Sequence, residues 1–207
     1  MWLLPGDPLV SPLPEFSIGL FKDAGQITSG SAGQLMAFNG GKYWVNFQQV
    51  GYTPLLDDVV LGVIKGKGKD YYRVDIGSSS LAIVDFMDFP NATKRNRPTL
   101  SLGDIILGQI VLDSKTGDIR ISCRTEVVTE MGQLKDGILI KCGILRSRAA
   151  FLSPPEVLNG LVSRALWSMN GYAWITPPSP EAVQAVLTAH LPTTTTTANS
   201  TTSTTKH

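Results

Sequence analysis

Glycine and proline divide this sequence more finely than any other feature. The 207 residues include 20 glycines and 13 prolines. They recur at intervals of about ten residues, a spacing typical of short strands joined by turns. Hydrophobic residues make up 43% of the chain, which is enough to bury the core of one medium domain or of several small ones. The sequence therefore predicts a folded, soluble, mainly β protein with a C-terminal α/β domain.

Changes in pattern along the chain predict four segments. Residues 1–53 predict a small N-terminal β domain. Residues 54–127 carry five apolar runs and bend-forming glycines, which are typical of a five-stranded barrel of the oligonucleotide-binding (OB) kind. Residues 128–192 mix strand and helix patterns and predict the α/β domain. Residues 193–207 are rich in threonine and have no large apolar side chain, so they predict a disordered tail.

Within these segments the pattern predicts individual strands and helices. An Asn39-Gly40-Gly41 turn predicts a hairpin between strands near residues 34–38 and 43–47. Further strands are predicted near residues 9–10, 16–20, 58–64, 71–76, 81–84, 105–112, 119–123, 138–142 and 173–175. Apolar residues at helical spacing predict helices near residues 158–166 and 180–191.

The charge and the scarce metal-binding residues exclude several classes of function. The formal net charge is +1, which gives no overall attraction to nucleic acid, membrane or acidic ligands. Histidine occurs at His190 and at the last residue, and Cys123 and Cys142 are not at zinc-ligand spacing from His190. We expect no metal, no cofactor and no catalytic residue. Without a signal peptide or a run of 18 apolar residues, we also expect free thiols in a reducing compartment and no membrane contact.

A basic segment lies between the first two predicted barrel strands, and its glycines do not match a phosphate-binding loop. A solvated hairpin turn is the simple interpretation. The next residues favour an RNA contact, because strand alternation places Tyr72 inside and Tyr71 outside, where a base could stack. The candidate RNA-binding residues of this segment are Lys65, Lys67, Lys69, Tyr71 and Arg73.

A second basic segment contains Lys94, Arg95 and Arg97 within four residues. Adjacent cations repel one another unless water or an anion screens them, so this segment is either a solvated loop or a phosphate contact. Residues 60–100 hold seven basic and four acidic residues, whereas residues 101–136 hold four basic and six acidic residues. The neutral total therefore conceals a local basic patch.

Two further motifs have mainly structural interpretations. A turn between predicted helix and strand contains Ser168, Met169, Asn170 and Gly171, with Trp174 after it. A KH domain clamps RNA with a Gly-x-x-Gly loop, and serine occupies the first glycine position here, so a structural turn is the better interpretation. The acidic pairs Asp57-Asp58 and Asp85 with Asp88 have no accompanying metal constellation, which argues against a nuclease site.

Several short motifs, in order along the chain, resemble the S1/KH cap subunits of the eukaryotic RNA exosome. They are Leu4-Pro5-Gly6-Asp7, Tyr43-Trp44-Val45 with Gln48-Gln49, Tyr52-Thr53-Pro54, Asp58-Val59-Val60-Leu61-Gly62, Val74-Asp75-Ile76-Gly77, Ala92-Thr93-Lys94-Arg95-Asn96-Arg97-Pro98, Gly103-Asp104, Gly108-Gln109 and Met169-Asn170-Gly171 with Trp174. The run from Ala92 to Pro98 is the most specific of them.

The resemblance implies an N-terminal β domain, an S1 (OB-fold) barrel and a KH domain. It implies a non-catalytic subunit that contacts a ring of RNase PH-like subunits and other cap subunits, stabilises the ring and guides single-stranded RNA into its channel for 3′-to-5′ processing and decay, including rRNA processing. In this family the KH turn is Gly-x-Asn-Gly and largely structural, and the expected locations are nucleus, nucleolus and cytoplasm. Candidate contacts with the complex are Pro5, Gly6, Asp7, Tyr43 and Trp44.

Two other classes of function remain as alternatives. A freestanding S1/KH RNA-binding protein, such as a translation-related factor, would share the barrel but would have no reason to carry the N-terminal β domain. An autonomous nuclease would need a metal site. Co-purification with a large complex and RNA degradation by the isolated chain separate these alternatives from the cap subunit.

Overall fold

The fold is described from a computed structural model of the whole chain. The structure describes residues 1–9, 15–16, 19–38, 42–47, 51–112, 117–124, 131–152 and 154–188. The Asn39-Gly40-Gly41 turn, Gln48, Gln49, His190 and the threonine-rich tail lie outside these ranges. The division into three domains and a tail stays a prediction.

The N-terminal part consists of short strands in two small sheets. The strands are β1 (Trp2–Leu3), β2 (Pro8–Leu9), β3 (Glu15–Phe16), β4 (Leu20–Asp23), β5 (Gln26–Ser29), β6 (Gly33–Phe38) and β7 (Lys42–Asn46). One sheet has the order β1-β6-β7-β3 and the other β2-β5-β4. Leu3, Leu9, Leu20 and Val45 form their shared core. The predicted strands near residues 34–38 and 43–47 are present, and they pair as antiparallel neighbours.

The middle of the chain forms a closed five-stranded barrel. Its strands are β8 (Val59–Lys67), β9 (Tyr71–Asp75), β10 (Ala82–Asp85), β11 (Ile105–Leu112) and β12 (Ile119–Ser122), and β13 (Gly132–Leu134) extends the sheet beside β11. The barrel closes because β12 pairs with β11 on one side and, in parallel, with β10 on the other. The predicted OB-type barrel is confirmed.

Strand alternation fills the barrel as the sequence predicts. On β9, Tyr72 and Val74 are fully buried, whereas Arg73 is exposed. Glycine is required where strands approach closely. A Cβ atom on Gly62 would lie 2.3 Å from a Val74 side-chain carbon, which is too close for any other residue. The barrel therefore depends on small residues as well as on apolar ones.

One feature of the barrel differs from the prediction. We expected a turn over residues 65–69, but β8 continues to Lys67 and the turn follows it. A β-bulge between Ile64 and Gly66 shifts the register with β9, and it lets the strand continue past its apolar part. Lys65 and Lys67 are therefore strand residues.

The C-terminal part is a three-stranded antiparallel sheet with two helices packed against it. Its elements are β14 (Ile138–Lys141), α1 (Ile144–Leu152), β15 (Arg164–Trp167), β16 (Tyr172–Thr176) and α2 (Pro180–Thr188), and the sheet order is β14-β16-β15. Ala173, Ile175, Ala182 and Val186 lie in the core between sheet and helices. The barrel core also packs against this part, through Trp174.

One helix prediction is wrong, and one helix was missed. The helix near residues 158–166 is wrong, because Gly160 has a φ of +85° and residues Arg164–Trp167 pair with β16 as a strand. Helix α1 was not predicted at all. The structure buries Ser147 and Arg148 of this helix. Because polar residues occupy its buried face, the sequence lacks the apolar stripe from which a helix is predicted.

Within the described part of the chain, none of the helices is long and apolar enough to cross a membrane. Both cysteines are free thiols, and Cys123 is buried while Cys142 is half-buried.

Candidate nucleic-acid interface

The first basic segment surrounds the hairpin between β8 and β9. Lys65, Lys67 and Lys69 are exposed, and the Gly68 N–H donates to the Tyr71 carbonyl at 2.8 Å to close the turn. Tyr71 is half-buried. The hydroxyl-bearing end of its ring packs on Gly68, where a Cβ atom would lie 2.7 Å from the ring. Part of the ring is thus already covered by the chain itself.

The second basic segment is a tight turn at the tip of a loop. The Thr93 N–H donates to the Asn96 carbonyl at 2.9 Å, and the Asn96 N–H donates to Thr93 Oγ1 at 2.9 Å. These two bonds close the turn, and Lys94 and Arg95 lie exposed at its tip. Among the described residues, neither of these two side chains has an ion-pair partner.

Tyr72 brings the two basic segments together. Its ring is inside the barrel, while its hydroxyl donates to the Pro98 carbonyl at 2.8 Å and accepts from the Leu100 N–H at 3.0 Å. The loop that carries Lys94, Arg95 and Arg97 is therefore fixed beside β9. We call the combined surface the basic rim, and it comprises Lys65, Lys67, Lys69, Arg73, Lys94, Arg95 and Arg97.

Aromatic rings lie beneath the rim. The Arg97 guanidinium carbon is 5.7 Å from the centroid of Phe86, and Lys67 Nζ is 6.0 Å from the same centroid. Lys67 Nζ is also 5.7 Å from the centroid of Tyr72. Cations at such distances interact favourably with the ring quadrupole. Lys67 and Arg97 thus lie over aromatic rings of the barrel, whereas Lys94 and Arg95 lie at the loop tip.

Two carboxylates form ion pairs here, one with a rim arginine and one with an arginine beside the rim. Arg97 Nη1 is 3.0 Å from Asp70 Oδ1, and Arg120 Nη1 is 2.7 Å from Asp85 Oδ2. Below them, burial and the neighbouring Asp85 charge raise the pKa of Asp88. The basic rim therefore includes one anion, Asp70, and is bordered by a second, Asp85.

The structure adds two arginines that sequence reasoning missed. Arg120 joins the rim's outer face, because barrel closure aligns it with Ile83, which is itself opposite Arg73. The alternation of β12 could have indicated its outward direction, but not its neighbour. Arg124 donates to the carbonyls of Phe89 at 3.0 Å and Ala92 at 2.7 Å, so it anchors the base of the Lys94 loop.

The predicted KH turn is buried against the barrel. Met169 donates its N–H to the Val59 carbonyl at 2.8 Å. The amide of Asn170 donates from Nδ2 to the Leu61 carbonyl at 2.7 Å and the Ile76 carbonyl at 2.9 Å, and Oδ1 accepts from the Leu61 N–H at 3.2 Å. The turn thus pairs with the edge of β8 beyond the point where β9 ends.

The residues next to Asn170 are also buried and hydrogen-bonded within the chain. Ser168 is fully buried and its hydroxyl lies 2.6 Å from Asn170 Oδ1. Gly171 is buried with a φ of +90°, and its carbonyl accepts from the N–H groups of Cys142 and Gly143. Trp174 is 2% exposed. These residues connect the C-terminal sheet to the barrel and leave little surface for RNA.

The candidate contacts with other subunits divide into two groups. Pro5 and Gly6 are exposed, and Asp7 is partly exposed while its Oδ2 accepts from the Leu4 N–H at 2.7 Å. Trp44 is 4% exposed, so its ring is packed inside this chain and offers no contact surface. Tyr43 is half-buried against the N-terminal core.

In the part of the chain that the structure describes, no group of three or more His, Cys, Asp or Glu residues could hold a metal ion.

Comparisons with known proteins identify the family. Residues 52–133 match the family model described as Exosome complex component RRP40, S1 domain. The chain is 33% identical over 145 residues to the human Exosome complex component RRP40, covering 66% of this chain and 52% of the relative. It is 30% identical over 155 residues to the Drosophila melanogaster protein of the same name, covering 72% of this chain and 67% of that protein. The chain spans about half the length of the mammalian relatives that it matches.

One solved structure supports the fold. It is described as an exosome complex RNA-binding protein, and it superposes with a TM-score of 0.54 at 23% identity over 66% of this chain and 82% of that chain. The family model covers the barrel that carries the rim, and the Drosophila relative is matched over two thirds of its length. The chain belongs to the Exosome complex component RRP40 family.

Proposed function

We propose that this chain is a non-catalytic RNA-binding subunit of the exosome, and that its basic rim holds single-stranded RNA by the phosphate backbone. The observation that carries the proposal is the convergence of two distant basic segments on one end of the barrel through Tyr72 and Pro98. In OB-type barrels the loop between the first two strands and the face of the second and third strands bind oligonucleotides. Lys69 and Arg73 lie on these elements, and Lys94, Arg95 and Arg97 reach them from the loop between β10 and β11. The names of the relatives indicate that the complex is the exosome.

The chemistry of the rim favours sequence-independent binding. Lysine and arginine side chains neutralise phosphates, and phosphate contacts position a nucleic acid without reading its bases. Tyr71 is the one predicted stacking residue, and Gly68 already covers part of its ring. We therefore infer that backbone contacts dominate over base recognition.

The finer role follows from the family. We propose that the chain sits with other cap subunits on a ring of RNase PH-like subunits, stabilises that ring and guides RNA into its channel for cleavage by other subunits. The C-terminal sheet and helices would be a KH domain whose Ser168–Gly171 turn braces the barrel. The buried hydrogen bonds of Asn170 support this structural role for the turn. Action in the nucleus, nucleolus and cytoplasm, including rRNA processing, belongs to the same proposal.

A charge-removal experiment tests the rim. Replacing Lys94, Arg95 and Arg97 with alanine removes three phosphate contacts, so RNA capture by the reconstituted complex should weaken by about 10- to 100-fold at moderate salt. The control replaces Lys22, Lys135 and Lys141, which are exposed and lie outside the rim. Binding of labelled single-stranded RNA is measured for both variants. Equal affinity of the rim variant and the control would refute the proposed function of the rim.

A further inference from the structure

An acidic residue lies within the basic rim and already occupies one of its arginines. Asp70 belongs to the turn between β8 and β9, beside Lys69 and Tyr71. Its Oδ1 atom accepts a hydrogen bond from Arg97 Nη1 at 3.0 Å. A phosphate oxygen would bind a guanidinium with the same type of charged hydrogen bond. The Asp70 carboxylate therefore takes the place that a phosphate would take on Arg97.

The backbone holds both partners of this ion pair in place. The Asp70 carbonyl accepts from the Phe86 N–H at 3.1 Å, so the turn is tied to the end of β10. The loop that carries Arg97 is tied to the barrel one residue later, by the bond from the Tyr72 hydroxyl to the Pro98 carbonyl. Two separate anchors thus keep the carboxylate and the guanidinium within reach of each other.

The pair is exposed enough to be displaced. The side chains of Arg97 and Asp70 are 50% and 63% exposed, whereas those of Arg120 and Asp85 are each 38% exposed at a shorter separation of 2.7 Å. An ion pair in water contributes little to stability, because water and salt screen the charges. Replacing Asp70 by a phosphate on Arg97 therefore costs the fold little.

We propose that Asp70 is an internal competitor of RNA phosphate, which occupies Arg97 in the free protein and must be displaced when RNA binds the rim. This inference rests on the proposed function of the rim. The competition lowers the affinity of the rim for phosphate at Arg97. A subunit that passes RNA onward needs such reversible contacts, because a rim of uncompensated cations would retain the strand.

The test is a double-mutant cycle on RNA binding by the full chain in the reconstituted complex. The variants are Asp70→Asn, Arg97→Ala and the double variant, with Asp23→Asn as a matched loss of an exposed carboxylate outside the barrel. Asp70→Asn should tighten binding of a single-stranded oligonucleotide roughly three- to tenfold at about 0.1 M salt. In the Arg97→Ala background the same change should give less than about a twofold gain. Asp23→Asn should leave the affinity unchanged.

The outcomes separate this inference from the proposed function. Unchanged or weaker binding by Asp70→Asn would overturn the inference, since Asp70 would then be neutral or would help to position Arg97. An equal gain in the presence and absence of Arg97 would overturn it too, because the effect would then be a general charge effect. If the triple rim variant binds RNA as tightly as its control, the proposed function itself fails, whatever Asp70→Asn does.

Discussion

Asn170 offers the sharpest test of how the C-terminal sheet is joined to the barrel. Its side chain is 4% exposed and satisfies three backbone groups of the barrel: the N–H and the carbonyl of Leu61, and the carbonyl of Ile76. Asn170→Ala leaves these three groups buried without their partner. Each lost hydrogen bond costs about 1 kcal/mol net, so the free energy of unfolding should fall by about 3 kcal/mol. For a domain of this size that loss corresponds to a fall in Tm of roughly 6–12 °C.

The assay is urea denaturation of the full chain, with unfolding monitored by circular dichroism and by tryptophan fluorescence. Asn96→Ala is the matched control, because the Asn96 side chain is exposed and makes a single long contact of 3.5 Å. It should change the free energy of unfolding by less than about 0.5 kcal/mol. If Asn170→Ala is as stable as Asn96→Ala, the amide does not brace the barrel and the reasoning is refuted.

Two further predictions concern the barrel. Gly62→Ala should destabilise the chain by about 2 kcal/mol or more, because its Cβ would lie 2.3 Å from a side-chain carbon of β9. Gly51 has open space around it, so Gly51→Ala should be close to neutral. Equal unfolding midpoints for the Gly62 and Gly51 variants would contradict the close packing at Gly62. Burial and the Asp88 charge raise the pKa of the Cys123 thiol to about 12, so a thiol reagent at mildly alkaline pH should label it only after unfolding. Because the unfolded thiol ionises above its ordinary pKa of 9 while the folded one stays protonated, its contribution to stability is complete below pH 9 and is lost as the pH rises toward 12. Rapid labelling of the native chain would contradict that burial.

The barrel could be predicted from the sequence because its signals are local. Alternation on β9 places Tyr72 and Val74 inside, and the structure agrees. The exact end of β8 could not be predicted, because the strand continues past a bulge between Ile64 and Gly66 into residues whose pattern predicts a turn. Such a bulge depends on the partner strand, which single-sequence patterns do not contain.

The missed helix has a different physical cause. Helix α1 buries Arg148, whose Nε donates to the Met169 carbonyl at 3.0 Å. A hydrophobic stripe is the signal for a surface helix, and a buried arginine removes it. The carbonyl that accepts from this buried arginine lies 21 residues away, in the turn before β16. A tertiary contact therefore decides this element, and no local pattern could indicate it.

The candidate site shows the same division between local and tertiary information. The two basic segments are visible in the sequence, and their charges predict a patch. Their convergence depends on the bond from Tyr72 to Pro98, across 26 residues. The involvement of Asp70 and Arg120 depends on the hairpin turn and on barrel closure. The charges in the sequence predict the patch, whereas the fold determines its shape and places Asp70 within it.

The salt dependence of RNA binding tests the central claim most directly. The affinity of the reconstituted complex for a single-stranded oligonucleotide is measured over a range of salt concentrations, with the parent chain and with Lys94, Arg95 and Arg97 replaced by alanine. Each lost phosphate contact should reduce the slope of log K against log salt by about 0.7, so the variant's slope should be shallower by about 2. The same difference should appear with oligonucleotides of different sequence. Identical slopes for parent and variant would contradict phosphate binding by the basic rim.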